Sequence, residues 1–271
     1  MTTTQITSAR EITSGTKEWA DYNVNCVKGC RHDCRYCYAK IMAKRFGRTD
    51  EATWKVMVVN DCVVEGKYRK FPGRVMFPST HDIIDDPEIK NACFKVITEL
   101  LKSGNDVLIT TKPSLPVIQE IVTKFAAFRP QLQFRFTITS IENDLLSFWE
   151  PGAPTFTERL TALKCAHDAS FRTSVSVEPF LDHDPRELID TVLPYVTESI
   201  WVGPMNYIAR MGVSEYDEPQ YARIRQIIVR ENLQRIYDDL KDIPHIRFKD
   251  SMRNRLSISQ GVSPVAELAR V

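Results

Sequence analysis

Short runs of β-branched and apolar residues alternate along this chain with longer segments whose apolar residues recur at helical spacing. Seven of the short runs predict strands, at 21–26, 73–80, 106–112, 132–140, 172–180, 199–206 and, as a final strand, 245–250. Six helical segments lie between them, at 38–46, 87–104, 114–128, 155–169, 185–196 and 218–242. Each helix therefore separates two strands that follow one another in the chain.

This regular alternation favours a parallel sheet with helices outside it, because parallel neighbours need a crossover connection. Runs such as VLIT (107–110) and SVSV (174–177) have the β-branched residues of strands that are covered on both faces. Six strand–helix units fall short of the eight that close a complete barrel. We therefore predict an α/β fold, an open partial (β/α)6 barrel of the TIM type with parallel strands. Residues 57–71 interrupt the pattern and predict an inserted hairpin or excursion.

The length of 271 residues suits one such barrel. We expect a flexible N-terminal segment at 1–17, the barrel at 18–250 and a C-terminal extension at 251–271. Apolar residues make up 43% and charged residues 26%, which is an ordinary globular mixture. No apolar run approaches the roughly 18 residues that a membrane span needs, so we expect a cytoplasmic protein.

Seven cysteines is an odd number, and four of them lie within a dozen residues, which disfavours a secreted, disulfide-bonded protein. A reducing compartment and a bound metal fit better. The decisive spacing is Cys30-x3-Cys34-x2-Cys37, on a loop just past the first predicted strand. Three thiolates can each hold one iron of a [4Fe-4S] cluster, whereas a structural zinc site takes four ligands. Zinc remains the competing metal, since Cys26 could complete such a site.

The stretch GCRHDCRYCYA (29–39) resembles the CxxxCxxC signature of radical S-adenosylmethionine (SAM) enzymes, including the aromatic Tyr36 before the last cysteine. Tyr38, Ala39 and the preceding EWADYNVN (18–25) are similar to the spore photoproduct lyase-like branch and to related phage-associated radical SAM proteins of unknown function. Four later stretches resemble the strand-end motifs of that branch, FPSTHDI (77–83), SVSVEPFLD (174–182), WVGPMN (201–206) and IRFKD (246–250). The resemblance covers most of residues 18–250.

The resemblance implies that Cys30, Cys34 and Cys37 hold a [4Fe-4S] cluster whose open iron chelates the amino and carboxylate groups of SAM. It implies further that one electron, from an external donor such as flavodoxin or ferredoxin, cleaves SAM to methionine and a 5'-deoxyadenosyl radical. That radical would abstract hydrogen from a substrate. A lyase, an oxidoreductase and a transferase are all consistent with this chemistry, which belongs to the cofactor.

Working residues of parallel barrels cluster at the carboxyl ends of the strands. Besides Tyr36, the resemblance assigns six strand-end residues to the cofactor, Thr80, Asp82, Lys112, Ser140, Glu178 and Asn206. Thr80 and Asp82 stand where these enzymes often carry a Gly-Gly-Glu for the SAM amino group, and this chain departs from that pattern. Lys112 and Ser140 are expected near the SAM carboxylate and ribose, and Glu178 near the ribose diol. The alternatives are a helix cap for Asp82, a solvated Lys112 and a structural salt bridge for Glu178.

Two residues are predicted to act in catalysis. His81 could relay a proton, and Cys62, in the excursion, could serve as a radical-quenching thiol. His32 is expected to be a solvated loop residue. Cys93 and Cys165 are expected to be buried on apolar helical faces, because free cysteine behaves as a small hydrophobe.

The substrate stays open at this point. The resemblance favours nucleic acid, and the basic stretches at 67–74 and 247–255 allow it, although such clusters are usually solvated faces. A peptide or a small molecule is also consistent with the sequence. The net charge of +1 gives no general attraction to polyanions. The competing function is a non-catalytic zinc or iron-sulfur binding module that binds nucleic acid.

Overall fold

A computed structural model describes residues 14–208 and 214–258 of the chain. The nine strands are β1 Tyr22–Asn23, β2 Val27–Lys28, β3 Val58–Val59, β4 Val75–Phe77, β5 Val107–Thr111, β6 Leu132–Thr137, β7 Arg172–Val177, β8 Ile200–Val202 and β9 Ile246–Phe248. The α-helices are α1 Tyr38–Arg45, α2 Asp61–Val64, α3 Pro87–Lys102, α4 Leu115–Lys124, α5 Asn143–Trp149, α6 Phe156–Asp168, α7 Arg186–Val192, α8 Glu218–Ile227, α9 Arg230–Leu240 and α10 Asp250–Leu256. Residues 1–13 of the predicted N-terminal segment and 259–271 of the predicted extension lie outside the described residues.

Seven of the strands form one sheet in the order β1-β4-β5-β6-β7-β8-β9, and every neighbouring pair is parallel. The order follows the chain, as expected when each crossover returns the chain to the next position along the sheet. The prediction of an open partial parallel barrel is confirmed, with the seventh strand present.

The excursion is built around the short antiparallel pair of β2 and β3. β3 lies within residues 57–71 and pairs with β2, which immediately precedes the cysteine loop, and the one-turn helix α2 follows it. The excursion is therefore more than a separate hairpin, because it pairs with the segment that leads into the cysteine loop.

The two faces of the main sheet differ in polarity. Apolar residues such as Val107, Phe134 and Val175 belong to the buried hydrophobic core. Residues of the alternate register, such as Arg135 and Ser176, are also buried but polar. Side chains alternate between the two faces of a strand, so helices cover one face while the polar face lines the inside of the barrel.

The open side of the barrel is closed by side chains near its two edge strands. Glu18, in the turn before β1, lies 2.5 Å from the Lys249 ammonium and 2.6 Å from the Arg253 guanidinium, both next to β9. Glu18 and Lys249 are almost completely buried. Buried ion pairs thus hold the turn before β1 against the residues that follow β9. The three predicted domain boundaries stay predictions. Within the described ranges, no helix combines the length and apolar character needed to cross a membrane.

Candidate active site

A cavity of about 470 Å³ opens at the carboxyl ends of the parallel strands. The structure brings together ten of the twelve predicted site residues along its wall, Cys30, Cys34, Tyr36, Cys37, Thr80, His81, Asp82, Lys112, Glu178 and Asn206. This is the end of a parallel barrel at which side chains from several strands converge. The cysteine loop forms one wall of the cavity, and Glu178, Asn206 and Lys249 lie on other strand ends around it.

Backbone contacts fix the cysteine loop. The Cys30 N–H donates to the Trp54 carbonyl at 2.9 Å, and the Gly152 N–H donates to the His32 carbonyl at 3.1 Å. Gly29 has a φ of +80°, and a Cβ atom there would lie 2.2 Å from the Val56 carbonyl oxygen. Only glycine fits that position without movement of the chain. The loop is therefore held on both sides by backbone that is remote in sequence.

The three cysteines of the loop present their thiols in a desolvated setting. Burial raises the pKa of Cys30 to about 12, and it raises the pKa values of Cys34 and Cys37 as well. Such thiols stay protonated until a metal takes the place of the proton. Among residues 14–208 and 214–258, these three are not a group whose sulfur atoms all lie within 4.8 Å of one another. Two thiolates on one tetrahedral Zn²⁺ lie roughly 3.8 Å apart, so the spacing suits a cluster better than a single ion.

Behind the cysteines lies a buried charged network centred on Glu150. Its carboxylate is 2.5 Å from the Arg159 guanidinium and accepts hydrogen bonds from Tyr36 Oη and, at 2.8 Å, from Thr139 Oγ1. The Lys112 ammonium lies 3.9 Å from the same carboxylate. Burial raises the Glu150 pKa, but Arg159 and Lys112 outweigh it and hold the pKa below its usual value. Glu150 is therefore an anion that positions Tyr36 and Lys112.

Lys112 is held by nearby acidic groups. Burial lowers its pKa, but the negative charges of Glu150, Asp82 and, once it is deprotonated, Cys34 outweigh burial and raise the pKa overall. Its side chain is 13% exposed, so Lys112 is not the solvated lysine of the alternative interpretation. A fixed ammonium group near the three thiols favours negative charge at this wall of the cavity.

His32 is not solvated, contrary to the prediction. It is 4% exposed, and its Nδ1 lies 3.2 Å from Asp82 Oδ2. The Asp82 carboxylate also accepts hydrogen bonds from Thr111 Oγ1 and, at 2.9 Å, from the Lys112 N–H. Burial raises the Asp82 pKa, but His32 and Lys112 lower it by more. Asp82 lines the cavity, yet its oxygens are engaged with the protein, so it joins the cysteine loop to β5.

The loop after β4 carries Thr80 and is shaped by a residue that the sequence did not single out. Asn25 Oδ1 accepts hydrogen bonds from the Ser79 and Thr80 N–H groups, at 2.7 and 2.9 Å. Tyr38 Oη donates to the Ser79 carbonyl at 2.6 Å. Residues from both ends of the cysteine loop therefore position Thr80 at the cavity.

Glu178 lies on another part of the cavity wall and has a different set of charged neighbours. Its carboxylate is 3.8 Å from the Lys249 ammonium, which is closer to Glu18. Burial raises the pKa of Glu178 to about 7, because Lys249 compensates only part of the desolvation. Glu178 thus has a structural partner and also faces the cavity. At Gly203 a Cβ atom would lie 2.9 Å from Lys249 Cβ, so glycine allows this close approach.

Two predicted site residues lie away from the cavity. Cys62 is exposed on α2 and does not line it. Ser140 is completely buried and donates its hydroxyl hydrogen to Asp182, because β6 ends at Thr137, three residues earlier than predicted. Thr137 lines the cavity in its place. His81 lines the cavity but also contacts the backbone at Cys26 and Asp82.

The remaining cysteines follow the prediction in part. Cys93 on α3 is completely buried, and Cys165 on α6 is half-buried against the core. Neither lines the cavity.

Comparison with known proteins adds to this geometry. The model of the Radical SAM superfamily matches residues 24–193. An uncharacterized protein of Methanocaldococcus jannaschii is 25% identical over 227 residues, which cover 81% of this chain and 84% of that protein. An uncharacterized protein of Acidianus two-tailed virus is 26% identical over 181 residues, which cover 63% of this chain and 57% of that protein.

Solved structures of spore photoproduct lyase share the fold. A doubly substituted variant with bound AdoMet and dinucleoside spore photoproduct has a TM-score of 0.52 and 15% identity. The match covers 88% of this chain and 79% of that chain. A singly substituted variant gives a TM-score of 0.53 with 13% identity, over 89% of this chain and 79% of that one. At these identities the likeness concerns the fold.

Proposed function

The chain belongs to the radical SAM superfamily, and from that premise we propose that it is an enzyme that cleaves SAM reductively and takes hydrogen from a substrate. The superfamily uses a [4Fe-4S] cluster and SAM, and these are the cofactors. The observation that carries the proposal is the convergence of Cys30, Cys34 and Cys37 on one wall of a cavity at the strand ends. We assign these three as the cluster ligands.

The residues fit this cofactor. Three thiols occupy the cavity wall, they are too far apart to surround one ion, and an ammonium group lies next to them. Three protein ligands for four irons leave one iron for SAM. When bound and reduced, the cluster supplies one electron that splits SAM into methionine and a 5'-deoxyadenosyl radical, which accepts a hydrogen atom from the substrate.

The protein's own task is to bind and orient. Lys112 compensates negative charge at the cysteine wall, and Glu150 holds Lys112 and Tyr36 in place. Thr80 and Glu178 line the cavity. We assign Thr80 to accept a hydrogen bond from the SAM amino group and Glu178 to accept hydrogen bonds from the ribose hydroxyls. Asn206 lies on the same cavity wall as Glu178 and suits the adenine or the substrate.

We propose nucleic acid as the substrate class. Tyr38 and Tyr207 line the cavity and are 41% and 45% exposed, so flat aromatic rings stand at its mouth. Arg31 of the cysteine loop and Lys44 of α1 are exposed cations, paired on the surface with Asp86 and Glu51, and phosphate would compete with these carboxylates. Aromatic rings stack on bases and cations attract phosphates, and proteins that bind single-stranded nucleic acid combine the two. Spore photoproduct lyase, which shares the fold, has been solved with a dinucleoside photoproduct.

Two further assignments complete the proposal. Each cleavage consumes one electron, which we assign to an external donor such as flavodoxin or ferredoxin. All seven cysteines are free thiols, so a reducing compartment, the cytoplasm, suits the protein.

The cofactor assignment is tested with anaerobically reconstituted protein and a chemical reductant. Wild type should contain iron and sulfide and release methionine and 5'-deoxyadenosine from SAM. Cys34→Ala should lose both properties, because it removes one cluster ligand. Cys165→Ala, which removes a thiol far from the cavity lining, should keep them. Wild type without iron and sulfide, or undiminished SAM cleavage by Cys34→Ala, would overturn the assignment.

The substrate class needs a separate assay. Oligonucleotides deuterated at the sugar and base should stimulate 5'-deoxyadenosine formation and transfer deuterium into it. A set of deuterated peptides serves as the comparison. Stimulation and deuterium transfer by peptides alone would refute nucleic acid as the substrate and leave the cofactor assignment intact.

A further inference from the structure

A second group of metal-ligand side chains lies behind the cysteine loop. Cys26 follows β1, His81 lies in the loop after β4, and Cys93 lies on α3. Their ligand atoms are all within 4.8 Å of one another. Cys26 and Cys93 are completely buried, and His81 is 7% exposed. Among the described residues, no other set of His, Cys, Asp and Glu side chains meets this distance limit.

The sulfur spacing matches one tetrahedral ion. The Sγ atoms of Cys26 and Cys93 are 3.8 Å apart. Two thiolates at about 2.3 Å from Zn²⁺, with a tetrahedral angle between them, lie roughly 3.8 Å apart. The pair therefore already has the separation of two zinc ligands, and the chain need not move to bring the sulfur atoms together.

The imidazole of His81 has the tautomer of a metal ligand. Its Nδ1 lies 3.2 Å from the Asp82 carbonyl oxygen, which can only accept, so Nδ1 carries the proton and Nε2 a lone pair. The Cys26 N–H donates to this lone pair at 3.3 Å, so a metal ion bound at Nε2 would replace that hydrogen bond. Metal-binding histidines almost always donate their other N–H to a carbonyl or carboxylate in this way.

From these contacts we propose that Cys26, His81 and Cys93 form a second metal site, distinct from the cluster cysteines, which binds Zn²⁺. Two thiolates and one imidazole are a donor set that zinc prefers, and three protein ligands leave a fourth position for water. His81 is the member of the trio that lines the cavity. The ion ties the end of β1, the loop after β4 and α3 together directly behind the cysteine loop.

The proposal changes the role of His81. As a zinc ligand its Nε2 has no lone pair for proton transfer, so His81 would be structural and not the proton relay that its strand-end position predicts. In the proposed zinc site Cys26 binds the ion together with His81 and Cys93. Cys30, Cys34 and Cys37 of the cysteine loop take no part in it. It is independent of the SAM chemistry.

X-ray absorption at the zinc edge tests the site in the intact holoprotein, with the iron-sulfur cluster reconstituted and loosely bound zinc removed by gel filtration. We expect one zinc per chain with two sulfur ligands at about 2.3 Å and one nitrogen at about 2.0–2.1 Å. Absence of zinc overturns the proposal. So does zinc with three or four sulfur ligands, since that places the ion on the cluster cysteines.

Metal content of variants gives a second readout. Cys93→Ala should lower bound zinc at least about tenfold while iron stays at the wild-type level, because it removes one of three ligands. Cys165→Ala removes a thiol on α6 that belongs to no ligand group, and it should leave zinc and iron unchanged. Circular dichroism checks that each variant is folded. If Cys93→Ala does not fold, the X-ray absorption measurement on wild type tests the proposal. Zinc retained in folded Cys93→Ala would contradict the proposal.

Discussion

Two carboxylates near the cavity, Glu150 behind the cysteine loop and the partly buried Glu178 on the cavity wall, have opposite electrostatic settings. Glu150 has Arg159 at 2.5 Å and three further partners, and its pKa lies below the usual value. Glu178 has Lys249 at 3.8 Å, and its pKa rises to about 7. Glu150 is therefore paired with cations before any ligand binds, which suits a wall that holds a resident cluster. The Glu178 carboxylate is compensated only in part and can still accept hydrogen bonds, which suits a ligand that binds and dissociates.

The largest expected effect comes from breaking the network on the cysteine wall. Glu150→Gln leaves Arg159 and Lys112 buried without their anion. Removing one partner of a buried ion pair costs about 3–5 kcal/mol in the free energy of unfolding. Urea denaturation should show that loss, and iron retention should fall with it because Tyr36 and Lys112 lose their anchor.

Glu142→Gln is the matched control. Glu142 is half-exposed and lies 3.2 Å from Arg223 on the surface. Exposed pairs contribute about 0–1 kcal/mol, so this variant should resemble wild type. Equal effects of the two substitutions would show that the Glu150 network contributes no more than a surface ion pair.

A pH effect should distinguish the other carboxylate. The Glu178 pKa rises from 4.5 to about 7 on folding because of burial. Between these pH values the folded state binds more protons than the unfolded state, so the free energy of unfolding falls as pH rises. A shift of this size corresponds to at most about 3 kcal/mol. The Glu178→Gln side chain does not titrate, so its free energy of unfolding should not fall in this way as pH rises.

Denaturation of SAM-free protein at pH 4 and pH 8 measures the difference. At pH 4 Glu178 is largely protonated in both states, and the variant and wild type should be close in stability. At pH 8 the variant should be the more stable by up to about 3 kcal/mol. A stability difference that stays constant between the two pH values would show that Glu178 is compensated as well as Glu150.

The sequence predicted those parts of the molecule that depend on local periodicity and spacing. Strand and helix order follows from the pattern of apolar residues, and the cysteine loop from its spacing. The strand-end residues Thr80, Lys112 and Glu178 reach the cavity because parallel strands all end on the same side. Ser140 does not line the cavity for a local reason, since β6 ends at Thr137, three residues before it.

Long-range pairing explains what the sequence did not reveal. Tyr36 and Glu150 are hydrogen-bonded although 114 residues separate them. Glu150 stands in the stretch WEPGAP (149–154), whose proline and glycine residues indicate a turn rather than a buried anion. His32 has charged neighbours in the chain, and its buried contact with Asp82 comes from the next strand end, 50 residues later in the sequence. No local pattern identifies such partners.

The smallest expected effect concerns how tightly the cysteine loop is held. Gly29 and Gly47 both have positive φ angles, +80° and +63°, but a Cβ at Gly47 would meet no atom within 4 Å. Gly47→Ala should therefore cost only the left-handed backbone strain, about 1–2 kcal/mol in the free energy of unfolding. Gly29→Ala carries the same strain and must also displace the Val56 carbonyl, so we expect about 1 kcal/mol more and weaker iron retention. Equal stability and equal iron content in the two variants would mean that the 54–56 segment does not fix the cysteine loop.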